Sequence, residues 1–159
     1  MTFKLLSKAA LALAAMGLCL SAASAAYKSE YKLSVVPGAS SGWGQTATFF
    51  ADCVRQKSNG RINIKPYFGA QLMAGKQTSE LLLVRRGAID FALASTINWS
   101  PQIKELNLTA LPFFVANNPD RYKAIDAIEA GKSGKMLEKA IEKTGVKFLG
   151  WSENGFREL

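Results

Sequence analysis

The chain has 159 residues, 48% of them hydrophobic and 20% charged, with a net charge of +8, two cysteines and no histidine. That balance is globular, and excludes a disordered chain or a disulfide-stapled scaffold. The missing histidine removes the usual general base, most zinc sites and any Ser-His-Asp arrangement.

Lys4 and Lys8 open a short positive region, Ala9 to Leu20 is an unbroken apolar run, and Ser21 to Ala26 are all small. The run is too short to span a bilayer, so residues 1–26 are expected to be a signal peptide cleaved after Ala25 or Ala26. Cys19 raises a lipoprotein alternative, although Leu18 stands where a small residue would be expected. Removal of the signal leaves Cys53 alone, so no internal disulfide forms, and a small buried hydrophobe is its expected role. The basic residues are scattered among Asp and Glu; with an export signal, this suits a solvated surface that attracts small anions better than one that binds nucleic acid.

Tyr31 to Val36 alternates loosely and predicts a first strand, broken by Pro37 to Gly42. Ser40 or Ser41 can cap the helix that follows, on which Trp43, Ala47, Phe50, Ala51 and Val54 share a face. Asn59-Gly60 ends that helix. Ile62, Ile64 and Tyr67, alternating with Asn63 and Lys65, predict a second strand. A second helix is expected over Thr78 to Arg86, with Arg85, Arg86 and Gly87 as stop signals. Ala88 to Ala94, apolar apart from Asp90, predicts a third and central parallel strand. Ser95 to Pro101 then reads as a polar loop, and Leu106 to Val115 as an apolar connection. Helices near Asp120 to Ala130 and Ser133 to Thr144 precede a fourth strand, Val146 to Trp151. Strands alternating with helices call for an α/β domain with a mostly parallel sheet flanked by helices.

Ligands of such sheets sit outside the carboxyl ends of the strands, where three loops qualify: Pro37 to Gly42, Ser95 to Trp99 and Asn154 to Arg157. Arg157, behind Gly155 and Phe156, offers the planar fork that grips a carboxylate. Ser40 and Ser41 can donate hydroxyls at a helix start, with a plain N-cap as the competing use. Ser95, Thr96 and Asn98 offer neutral hydrogen bonds or are simply turn formers. Trp99 can cover an apolar ligand surface, whereas Trp43 lies on the helix stripe and suits the core. Gly69 to Lys76 superficially resembles a phosphate loop, but the glycine spacing is one residue too long and Gln77 replaces the required Ser or Thr. No paired carboxylates or metal-ligand cluster appear in the sequence, so no catalytic residue, cofactor or metal is expected. Asn98-Trp99-Ser100 and Asn107-Leu108-Thr109 match the glycosylation pattern, a weak signal alone.

Five short passages together resemble the solute-binding proteins of tripartite ATP-independent periplasmic (TRAP) transporters, DctP type. They are Asn59 to Ile64, Tyr67 to Leu72, Arg86 to Ala92, Leu111 to Phe114, and Gly150-Trp151 through Asn154-Gly155-Phe156-Arg157. The resemblance implies a periplasmic-binding-protein type lobe over residues 27–152. It implies the start of a crossover to a second lobe at 153–159, with that lobe lying beyond a chain about half the length of the whole. It further implies a periplasmic, monomeric protein that is not an enzyme. Such a protein captures a small organic acid and passes it to small and large membrane subunits. An arginine at the position of Arg157 commonly helps hold the acid in this family, whose main carboxylate arginine comes later. Sialic-acid-binding relatives carry a charged residue after the central strand, where Ser95 and Thr96 stand here, which argues against that substrate. The same lobe also suits an ATP-driven importer or a sensor, and, less well, an exported α/β enzyme.

Overall fold

A computed structural model of the protein describes residues 27–115 and 117–153. The expected signal segment, the Asn154 to Arg157 turn and Arg157 itself lie outside the described residues.

Strand β1 (Tyr31–Val35) leads into helix α1 (Gly42–Lys57), which returns the chain to strand β2 (Ile64–Tyr67). Two short 3-10 turns, Gln71–Met73 and Gln77–Ser79, precede helix α2 (Glu80–Arg85). Strand β3 (Phe91–Leu93), a one-turn helix α3 (Thr96–Trp99) and a 3-10 stretch over Lys104–Ala110 follow. Helices α4 (Arg121–Ala130) and α5 (Lys132–Glu142) are the last helices among the described residues. The sheet has the order β2-β1-β3, with both pairings parallel.

Of three buried clusters among the described residues, the two largest lie on either side of the sheet, and the third joins Ala70, Met73 and Ile89. Leu33, Val35 and Ile64 meet Ala47 and Ala51 of α1, with Trp43, Phe50, Val54 and Phe91 closing the cluster. The face of α1 expected to be buried is therefore the one that packs, although Trp43 and Cys53 are only half-buried. On the other side Leu81, Trp99, Ile103 and Leu106 pack against Leu137, Ala140 and Ile141 of α5. Leu81, Leu106 and Leu137 are almost completely buried, each worth about 1.5–3 kcal/mol of apolar transfer. Helix α5 can approach α4 only because residue 134 is glycine. A Cβ there would stand 1.8 Å from the Glu129 carbonyl oxygen.

The structure redraws three expected elements. The third strand is short and lies at an edge of the described sheet, with β1 in the centre. Its first residues are diverted, because the N–H groups of Ala88 and Ile89 donate to the Leu83 carbonyl at the end of α2. The loop after β3 is helical over Thr96–Trp99, with Ser95 as its N-cap. Val146 to Trp151 forms no strand. The Phe148 N–H is committed to the Glu142 carboxylate, and Phe148 and Trp151 stack on each other at 4.8 Å and pack against the α5 core.

Asp90 ties β3 to β1 at the amino-terminal end of the sheet. Its carboxylate accepts the Lys32 backbone N–H at 2.8 Å and pairs with the Lys28 ammonium. Burial pushes the Asp90 pKa up, but the bonds from Lys28 and Lys32 outweigh it and hold the carboxyl below its ordinary value. A lowered carboxylate contributes stability above its unfolded pKa and loses it as pH falls through the folded one. Asp90→Asn is therefore expected to destabilise the protein by about 1–2 kcal/mol at neutral pH. The gap from wild type should close as denaturation is repeated below the ordinary value of 3.8.

Candidate functional site

All three strands run parallel, so their exit loops gather on one edge. Val35 pairs with Leu93 at the ends of β1 and β3, which brings the loops beginning at Val36 and Ala94 out side by side. The exit of β2 is laced to that of β1, since Gly69 N–H donates to the Pro37 carbonyl at 3.0 Å and Ala70 N–H to the Val35 carbonyl at 3.4 Å. Two of the three expected loops, Pro37 to Gly42 and Ser95 to Trp99, are thus brought to the same edge.

In the first loop Ser41 is the N-cap of α1. Its Oγ accepts the Gly44 N–H at 3.0 Å and donates to the Gly38 carbonyl at 2.6 Å. Ser41 is therefore occupied with local structure, while Ser40 is exposed and only its carbonyl is used, by Gln45. The loop sits directly on the start of α1. A Cβ at Gly44 would stand 2.4 Å from the Ala39 carbonyl oxygen, so only glycine permits the approach.

In the second loop Ser95 Oγ accepts the Ile97 N–H at 3.3 Å. Thr96 shares a 2.8 Å hydroxyl contact with Thr109, and Asn98 Nδ2 donates to Gln77 Oε1 at 2.9 Å. All three side chains are half-buried at the rim. Trp99 stands apart from them. It is 8% exposed and belongs to the α5-side core, where its ring packs with Leu81, Ile103 and Leu106. Its indole Nε1–H donates at 3.0 Å to the Glu80 carboxylate, also buried.

Glu80 is the residue that sequence reasoning passed over. It is 0% exposed. One oxygen accepts the Ser34 hydroxyl at 2.6 Å and the other accepts the Trp99 indole N–H. Burial is the largest influence and raises its pKa, against the opposing bonds from Ser34 and Trp99. Two signals could have revealed it. Ser34 interrupts the buried run Leu33 to Val35, and Glu80 opens the otherwise apolar stretch Leu81 to Val84. A first-turn acid is ordinarily read as an exposed partner of the helix dipole, which hides the second signal.

The described surface includes two hollows set apart from the loops leaving β1 and β3. One of about 280 Å³ lies between α1 and β2, lined by residues such as Thr48, Asp52, Arg55 and Lys65. The other, about 570 Å³, lies between the Phe113 to Pro119 connector and α4. Neither is lined by Ser40, Ser41, Ser95, Thr96, Asn98 or Trp99. Among the described residues no group of His, Cys, Asp and Glu is arranged to hold a metal ion. No helix among them is long and apolar enough to cross a membrane.

In open α/β sheets ligands bind outside the carboxyl ends of the strands, where the Pro37 to Gly42 and Ser95 to Trp99 loops lie. Comparison with known proteins agrees: residues 33–159 match the bacterial extracellular solute-binding protein family 7, DctP. The chain belongs to this family, a family of substrate-binding proteins. It is 26% identical over 144 residues to the C4-dicarboxylate-binding periplasmic protein DctP of Rhodobacter capsulatus, covering 90% of this chain and 41% of that protein. It is 30% identical over 116 residues to a solute-binding protein of Chromohalobacter salexigens, covering 73% of this chain and 33% of the relative.

Among solved structures, a TRAP periplasmic solute-binding protein of Ralstonia eutropha with bound (S)-2-acetolactate is 53% identical, with a TM-score of 0.71 over 76% of this chain and 37% of that one. One from a Polaromonas species bound to D-erythronate is 26% identical, with a TM-score of 0.71 over 81% of this chain and 41% of that one. The chain therefore spans about a third to two-fifths of the length of these relatives.

The raised pKa of Glu80 has a measurable consequence. A carboxyl whose folded pKa lies above its unfolded one costs no stability at low pH, where it is neutral in both states. It costs progressively more as pH rises from the unfolded value through the folded one. Wild type should lose stability against a Glu80→Gln variant as pH is raised from the ordinary value of 4.5. Chemical denaturation of both proteins across that range measures the difference, and parallel curves would contradict it.

Proposed function

We propose that the protein is the periplasmic solute-binding component of a TRAP-type secondary transporter, which captures a small organic acid and delivers it to the small and large membrane subunits. The reading rests chiefly on the 53% identity and common fold shared with the Ralstonia protein, whose bound ligand is a small hydroxy-keto acid. Capture without transformation also suits a chain that lacks histidine. The chain is exported by the signal at residues 1–26, and residues 27–152 form a first lobe that leads into a crossover at 153–159. The mature protein works as a monomer.

In this reading the strand-end edge is one wall of the ligand cleft. Arg157 pairs with the substrate carboxylate through its guanidinium fork. Ser95, Thr96 and Asn98 supply neutral hydrogen bonds from the turn after β3. Ser40 and the Ser41-capped start of α1 face the acid from the turn after β1, where backbone N–H groups favour anions. Trp99 supports this wall from beneath instead of covering the ligand. In a two-lobed protein the second lobe faces this wall and excludes water from the charge pair.

Calorimetric titration of the full-length protein with (S)-2-acetolactate, D-erythronate, succinate and D-galactonate is the direct test. Saturable binding of at least one acid is expected, and no binding across a broad panel of organic acids would refute the reading. Arg157→Ala should remain folded and lose about 2–5 kcal/mol of affinity for that acid. An unchanged affinity would remove Arg157 from the site. Ser95→Ala should cost less, about 0.5–1.5 kcal/mol, as expected for a single neutral hydrogen bond.

A further inference from the structure

We propose that Glu80 is the positioning residue of the ligand site: its buried carboxyl fixes the Ser95–Asn98 turn against β1, so that the loops leaving β1 and β3 present their donors in one arrangement. The proposal rests on the reading of the strand-end edge as a ligand wall.

Each oxygen of the carboxyl serves one side. Ser34, one residue before the end of β1, donates at 2.6 Å, and Trp99, the last residue of α3, donates at 3.0 Å. Ser34 and Trp99 are 1% and 8% exposed, so neither bond competes with water. Two further bonds run the same way. Asn98 Nδ2 reaches Gln77 Oε1 at 2.9 Å, and Gln102 Nε2 reaches the Thr78 carbonyl at 2.7 Å. The segment 77–80 is therefore laced to the segment 98–102 at three places, and only the Glu80 bond is shielded from solvent and continued into the sheet.

Adhesion alone does not explain a carboxyl here. Both of its hydrogen-bond partners are neutral, and an apolar side chain of similar volume would fill the space without the cost of desolvating an acid. What the carboxyl adds is direction. Its two acceptors fix the indole edge and the Ser34 hydroxyl together, as bonds behind a binding site hold the groups that touch a ligand. The turn bearing Ser95, Thr96 and Asn98 is a single helical turn with no length of its own to resist rotation. Its orientation depends on Trp99 being held.

The test uses the full-length protein, titrated with whichever acid of the panel above binds tightest. In Glu80→Gln the amide oxygen can accept from Trp99 while its NH₂ donates to the Ser34 oxygen, so both links survive. Its affinity should stay within about threefold of wild type. Glu80→Leu keeps the volume and breaks both links, and should weaken binding about tenfold or more. Its backbone amides at Asn98, Trp99 and Ser100 should also exchange hydrogen faster.

A folded Glu80→Leu that binds like wild type, or a Glu80→Gln that loses as much as Glu80→Leu, overturns the proposal. If Glu80→Leu does not fold, Trp99→Phe decides the matter, because it removes the indole N–H and leaves the Ser34 link. A loss of about threefold or more supports the proposal, and wild-type affinity overturns it. A wild-type protein that binds no acid at all sinks the transport reading together with this proposal. Wild-type binding beside an unaffected Glu80→Leu sinks this proposal only.

Discussion

The Glu80 carboxyl, buried between Ser34 and Trp99, is the contact through which the sheet and the second core hold each other. Helix α2 carries it, strand β1 meets one oxygen and helix α3 meets the other. The α5-side core around it is built on Leu81, Trp99, Ile103, Leu106 and Leu137. Apolar packing is strong but lacks direction. Two buried hydrogen bonds add direction, and they exact a penalty if either partner is left unpaired.

Among the described residues a short, three-stranded sheet gathers its exit loops on one edge. Parallel pairing sends every exit loop the same way. Local chemistry then freezes each loop. Ser41 caps α1 while Gly44 lets the backbone of residues 38 and 39 press against the helix start. Ser95 caps α3, and Thr96 meets Thr109. The result is a row of hydroxyl and amide groups over a packed foundation, suited to hold a polar ligand by neutral hydrogen bonds.

Opposite to this edge, the amino-terminal end of the sheet is closed by ionic contacts. Asp90 draws together Lys28 and the Lys32 backbone. Glu30 pairs with Lys65 and accepts the Tyr67 hydroxyl. The Tyr67 bond is the largest influence on Glu30 and helps hold its carboxyl below the ordinary range. The sheet thus has an end stitched by charge at the surface and an end left to hydroxyls and amides. Exposed pairs such as Glu30 with Lys65 contribute little each, whereas Asp90 is largely shielded and also accepts a backbone N–H.

Much of the framework was legible in the sequence because it follows from local periodicity and punctuation. Val35, Ala47, Ala51 and Ile64 fall where alternation and helical spacing put them. Ser41, Asn59-Gly60, Gly87 and Asp120 stop or start helices for reasons that act within a few residues. The edge place of β3, the diversion of Ala88 and Ile89 onto α2, and the use of the Phe148 N–H by Glu142 were not legible, since each depends on a partner distant in sequence or on competition for one N–H. Of the proposed binding residues, the sequence indicated loops and donor types, while the burial of Trp99 was hidden because a tryptophan after a strand suits either a wall or a core. Glu80 was hidden for the same physical reason. A carboxylate opening a helix looks like a surface charge until the chain folds and brings Ser34 and Trp99, remote in sequence, to its two oxygens. Short-range sterics and patterning thus determined the elements and their order, whereas only tertiary packing could decide which polar groups lose their water and must find each other.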